Sequence, residues 1–221
     1  MGVPQTVKGD PLSIRHAFNF AWPIFKKRSR LFTAVLLTIF GAWVTLEIVV
    51  IVGQRFGILL WAVAHVAFLI ILAGMEVGFL RMCLALADQQ EPQFGDTFAH
   101  LMLGPKFLTG QILYLLMIVI GLLLLIVPGV YLGLRYAMFG FCLAAGETNL
   151  ARCFQQSAIL STGAKPYLLR ILVVLIALNV LGAALLGLGL LITVPLSVLM
   201  MTAAYRQLSA CQVHSDAMSH T

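Results

Sequence analysis

Charge is what this chain has least of. Only 10% of its 221 residues are charged, and Asp and Glu together number eight. A soluble domain carries about 25% charged and about 45–50% apolar residues. Here 61% are apolar, and the mean hydropathy is +1.01. Too little polar side chain remains to cover a water-facing surface, which excludes an ordinary soluble enzyme or binding module. No stretch is polar and long enough to make a second domain. The four cysteines, Cys83, Cys142, Cys153 and Cys211, are far apart and form no C-x-x-C. Neither a disulfide framework nor a metal site is implied, and buried, inert thiols are expected. Residues 1–30 lack a continuous apolar core and a small-residue cleavage site, so no secretory leader is expected.

Catalytic spacing is missing too. His16, His100, His214 and His220 show no H-x-x-x-H or H-E-x-x-H pattern, and His214-x-Asp216 with His220 makes at most an adventitious metal site. Ser157 and Ser161 are four apart, with no base placed beside either. No phosphate loop, nucleophile motif or pair of carboxylates at working distance is visible. The expectation is a protein that is not an enzyme, with no catalytic residue, metal or cofactor.

What is present is a set of six long apolar runs. They cover Leu31 to about Val52, Ile58 to about Phe79, Phe107 to Val127, Val130 to about Ala145, Tyr167 to about Leu186, and about Leu188 to Leu208. The first is long enough to cross roughly 30 Å of hydrocarbon at about 1.5 Å per residue. The helical pattern of the second run continues to Ala87, and Pro128-Gly129 reads as a hairpin turn. The fold class expected is all-α: a polytopic membrane bundle of six transmembrane helices over residues 31–208. A cytoplasmic amphipathic segment (1–30) would precede it and a flexible cytoplasmic tail (209–221) would follow.

Orientation comes from the cations. Of the 14, Lys8, Arg15, Lys26, Lys27, Arg28, Arg30, Arg81, Lys106, Arg152, Lys165, Arg170 and Arg206 fall on one side. Arg55 alone lies opposite, and Arg135 lies within the fourth run. That bias predicts a bacterial inner-membrane protein with both termini cytoplasmic. The cations flank apolar runs instead of clustering with exposed aromatics on a soluble face. Membrane lipid, and not nucleic acid, is the expected contact; a protein partner is open.

A weak internal repeat is visible. Phe18 and Phe98 each precede a lysine by eight residues (Lys26, Lys106), and Phe154 to Lys165 resembles a third copy with three extra residues. The unit would be an amphipathic segment, a basic-aromatic junction and a two-span hairpin. Asp10-Pro11, Asp96 and Thr148-Asn149 supply capping chemistry before each copy. Chance resemblance between apolar stretches is the alternative.

Charged groups inside spans are the first suspects for function, because each costs about 2.5–3.5 kcal/mol at the bilayer centre on insertion scales. Glu47, His65 and Arg135 fall at similar depth in the outer halves of their runs, so a Glu47–Arg135 pair with His65 nearby is a candidate polar cluster. It would serve a proton or an anionic headgroup. The competing reading, which the sequence favours, is an ion pair that locks packing or an arginine that snorkels to the interface. Glu76 is expected near interfacial cations such as Lys106 or Lys165, and Asn179 is expected to make an interhelical hydrogen bond. Gly74-x-x-x-Gly78 and Gly129-x-x-x-Gly133 are expected to pack within the bundle.

Phe94-Gly95-Asp96-Thr97-Phe98, Pro128-Gly129-Val130-Tyr131-Leu132-Gly133-Leu134-Arg135-Tyr136 and Ser157 to Gly163 follow in an order that resembles a widespread bacterial group. Thr193-Val194-Pro195 and Ala204-Tyr205-Arg206-Gln207-Leu208 fit the same pattern. These are uncharacterised six-span membrane proteins related to the membrane-anchor domain of glycerophosphodiester phosphodiesterases. The resemblance covers most of residues 12–210. In fused members of the group the reaction belongs to a soluble domain that this chain lacks, so the resemblance implies an anchor and no activity. The functional expectation is a non-catalytic scaffold or anchor acting through lipid or partner contacts. The alternative is a small transporter or lipid-handling protein using the Glu47, His65 and Arg135 level.

Overall fold

The computed structural model describes residues 13–53, 57–185, 187 and 189–219. Lys8, Asp10-Pro11, Arg55, His220 and the side chains of His214 and Asp216 lie outside the described residues. Among the described residues the chain is all helical, and six stretches are long and apolar enough to cross a membrane. It is a multi-pass membrane protein. Helical backbone is what a lipid environment demands, since every N–H and C=O must be satisfied within the segment.

The chain begins with α1 (Ile14–Lys27) and continues directly into α2 (Ser29–Gly53). Next comes α3 (Ile58–Ala87), which reaches as far as the sequence pattern indicates. Two short 3-10 turns, Phe94–Thr97 and Leu101–Leu103, lead into α4 (Gly104–Leu124). The fourth span is split into α5 (Ile126–Tyr136) and α6 (Phe139–Ala144), and α7 (Leu150–Leu160) links it to α8 (Lys165–Ala184) and α9 (Leu190–Ser219). Three hairpins therefore follow one another: α2–α3, α4–α5/α6 and α8–α9. The segment before each one differs, being a 14-residue helix, a pair of 3-10 turns and an 11-residue helix.

Two boundaries depart from the sequence expectation. The second hairpin turns at Leu125, whose backbone is extended, and not at Pro128-Gly129. Pro128 falls in the first turn of α5, where its missing N–H is harmless because the first helical N–H to bond is that of Gly129, to the Leu125 carbonyl. The stretch expected as a flexible tail from 209 is instead the end of α9, which remains helical to Ser219.

α3 runs through the middle of the bundle, against α2, α4, α6 and α9. α1 folds back on α9, with Ala17 and Ala21 fully buried so that the two backbones come close, and Phe25 stacks toward Phe32 at 5.9 Å between ring centres. Phe32 in turn meets Phe79 edge-on at 6.1 Å. Ion pairs Arg28–Glu91 and Arg206–Asp88 join the start of α2 and the middle of α9 to the end of α3. This end, which carries most of the cations, is called the basic end below.

Burial is concentrated in the half of the bundle nearest the basic end. The C-terminal half of α3 buries Ala73, Val77, Phe79, Met82 and Cys83, whereas Ile58 at its other end is 82% exposed. Leu123, Ile126 and Val127 around the second hairpin turn are similarly open. In a bilayer such faces meet acyl chains at no cost, so no tight protein core is required there.

Candidate functional site

The predicted Glu47–Arg135 ion pair is absent among the described residues. Glu47 lies on α2 with its side chain exposed, while its neighbour Leu46 is buried; successive residues on a helix point about 100° apart. His65 stacks on Trp61 with 5.5 Å between ring centres, and its Nδ1 is enclosed without a partner. Arg135 ends α5, which packs on α4, α7 and α8, whereas α2 packs on α1, α3, α9 and the first 3-10 turn. Among the described residues the ion pairs are Arg28–Glu91, Arg152–Glu147 and Arg206–Asp88, so the Glu47–Arg135 pair does not form. The two helices pack mainly on different neighbours, so matching depth does not bring their side chains together.

Arg135 also lies deeper than the sequence reading had it, because the hairpin turns three residues earlier, at Leu125. Its guanidinium is 5.7 Å from the Tyr136 ring. Its carbonyl accepts from the hydroxyls of Ser157 and Ser161, both at 3.1 Å. Ser157 Oγ also accepts from the Met138 N–H at 3.0 Å. The two serines thus bridge the interruption between α5 and α6, where the helical ladder leaves polar backbone groups without partners.

The secondary candidates have ordinary partners. Glu76 accepts from the Gln111 side-chain amide at 2.8 Å, in place of the cations expected near it. Lys165 instead donates to the Tyr131 hydroxyl at 3.0 Å and lies 4.2 Å above that ring. Asn179 donates to Ser197 Oγ at 2.8 Å, the interhelical bond expected of it, and to the Leu175 carbonyl at 2.8 Å. It lines an apolar groove of about 560 Å³ walled by Leu80, Phe141 and the α8–α9 hairpin.

Both glycine patterns pack within the bundle. A Cβ on Gly129 would meet Leu122 Cγ at 2.5 Å, so only glycine lets α5 lie this close to α4. At Gly74 and Gly78 the neighbour is not a helix. The 97–101 backbone docks there: a Cβ on Gly78 would come within 2.1 Å of the Thr97 carbonyl oxygen, and one on Gly74 within 2.7 Å of Leu101 Cα.

That docking builds a polar pocket of about 380 Å³ at the basic end, lined by Arg81, Asp88, Asp96, His100 and Arg206 among others. The 3-10 turns carry His100 against Arg81, where the guanidinium Nη1 meets His100 Nε2. Arg206 is paired with Asp88. Asp96 Oδ2 accepts from the Gln93 N–H at 2.7 Å. Arg81 and Arg206 were legible in the sequence only as flanking cations, and His100 only as a histidine without metal spacing. The usable signal was Gly74-x-x-x-Gly78, which marks close approach but does not say that a loop is what approaches.

Around this pocket the surface is apolar and basic at once. Phe18 and Trp22 stack at 5.8 Å and Phe94 meets Phe98 at 5.6 Å; all four are exposed, and Met102 is 94% exposed. Arg15, Lys26, Lys27, Arg30 and Lys106 are exposed beside them. No known protein family, curated protein or solved structure matches this chain.

Proposed function

We propose that this protein is a non-catalytic membrane scaffold or anchor of the bacterial inner membrane that works through lipid and partner contacts at a cytoplasmic basic end. The observation that carries the reading is the pair of exposed aromatic couples, Phe18–Trp22 and Phe94–Phe98, beside the exposed cations Lys26, Lys27, Arg30 and Lys106. Aromatic rings favour the headgroup zone, and each cation near an anionic leaflet contributes about 1 kcal/mol of attraction. The positive-inside bias supports the orientation. The resemblance to phosphodiesterase membrane-anchor domains supports an anchoring role without chemistry of its own. A transporter reading built on Glu47, His65 and Arg135 has less to stand on, because Glu47 and Arg135 form no ion pair among the described residues.

The test is extraction in native-lipid nanodiscs followed by mass spectrometry of co-purifying lipid and protein. Wild type should enrich anionic lipid over the bulk membrane, or retain a stoichiometric protein partner. A variant with Phe18, Trp22, Lys26 and Lys27 all changed to Ser should lose that enrichment or partner while remaining folded. An identical lipid and protein profile in that variant would refute the reading.

A further inference from the structure

Two arginines, two aspartates and His100 line the pocket at the basic end. Arg81 has no carboxylate partner among the described residues. Its Nη1 donates to His100 Nε2, so the proton of a neutral His100 must reside on Nδ1. His100 Nδ1 and Arg81 Nε are both enclosed without a hydrogen-bond partner. Of the acidic side chains that share the lining, Asp88 is paired with Arg206, while Asp96 accepts from the Gln93 N–H through one oxygen and is exposed. Arg81 is half-buried, and a guanidinium partly withdrawn from water with no carboxylate bonded to it has donors free for a ligand.

From this geometry we infer that the pocket is a phosphate-binding site, with Arg81 and His100 as the recognising donors. The guanidinium fork matches two oxygens of a phosphate or phosphate ester, and His100 Nδ1–H is a further donor close by. At about 380 Å³ the pocket has room for the phosphate and a short polar substituent; a water in liquid occupies about 30 Å³. Its position at the basic end of the spans suits two sources with the same chemistry, a phospholipid headgroup or a soluble phosphate ester. The inference stands apart from the scaffold reading, because neither Arg81 nor His100 belongs to the exposed aromatic and cationic surface.

The experiment uses the purified full chain in a non-ionic detergent, titrated in one arm with inorganic phosphate and in the other with phosphatidylglycerol in mixed micelles. Chloride at matched ionic strength is the control, and saturable change in thermal unfolding is the readout. Saturable stabilisation is expected in at least one arm, weakened roughly tenfold or more in Arg81→Gln and in His100→Phe. It should be unchanged in Arg152→Gln, an exposed cation outside the pocket. A response to phosphate identifies a soluble ester as sufficient; a response to the lipid alone identifies the headgroup. No saturable response beyond chloride in either arm overturns the inference, as does equal affinity in Arg81→Gln. Should Arg81→Gln fail to fold, His100→Phe is decisive in its place, and wild-type affinity there overturns it.

Discussion

Removing the hydroxyl of Ser157 tests how the broken fourth span is held. Ser157 and Ser161 are both 0% exposed; Ser157 donates to the Arg135 carbonyl, and Ser161 shares its one proton between that carbonyl at 3.1 Å and the Ala158 carbonyl at 3.0 Å. Ser157 alone accepts from the Met138 N–H. Ser157→Ala therefore leaves a buried N–H without a partner, which costs about 1–3 kcal/mol, while Arg135 keeps its bond from Ser161. Ser161→Ala leaves Arg135 bonded to Ser157 and should cost no more than about 1 kcal/mol. Only the double variant strands the carbonyl as well. Its destabilisation should exceed the sum of the singles by about 1 kcal/mol, a positive coupling of the kind that a shared partner produces. Thermal unfolding in detergent, or steric trapping in bicelles, gives the four corners of the cycle. A Ser157→Ala protein within about 0.5 kcal/mol of wild type would refute the reasoning. Strict additivity would show that the two hydroxyls do not share the carbonyl.

Three further outcomes follow from the packing. Gly78→Ala should displace the 97–101 backbone, since its Cβ would lie 2.1 Å from the Thr97 oxygen, at a cost of about 1–3 kcal/mol; Gly41→Ala, with nothing within 4 Å, should be neutral or stabilise slightly in the same melting assay. Asn179→Leu removes the 2.8 Å bond to Ser197 and should lower stability by about 0.6–1.7 kcal/mol, measured by unfolding in bicelles. Maleimide should label Cys211 quickly in the folded protein and leave the other three cysteines until denaturation. Burial, helped by the Glu147 carboxylate, pushes the Cys153 thiol up to about 11. It therefore remains protonated in mildly alkaline buffer, and rapid labelling of Cys153 there would contradict its burial.

The places where sequence reading failed share one cause. Leu, Ile and Val on α2, α4 and α8 face lipid as readily as protein, so apolar periodicity does not mark which side of a span is buried. Depth alone pairs Glu47 with Arg135, although α2 packs mainly on α3 and α9 and α5 mainly on α4. Pro128-Gly129 is compatible with a turn and with a helix start, and the close contact of Gly129 with Leu122 decided for the helix. The tail from 209 is polar, as an irregular segment would be, yet it continues α9.

By itself the sequence determined the class, the six spans and the hairpin order, because lipid leaves a long apolar chain no alternative to helix and cations resist crossing. It also announced close packing at Gly74-x-x-x-Gly78 and Gly129-x-x-x-Gly133. Only the tertiary structure decided what packs there, and so brought His100 to Arg81 and the serines of α7 to the break before Met138. Those contacts join residues distant in the chain through backbone shape and side-chain fit, which neither hydropathy nor helical period encodes.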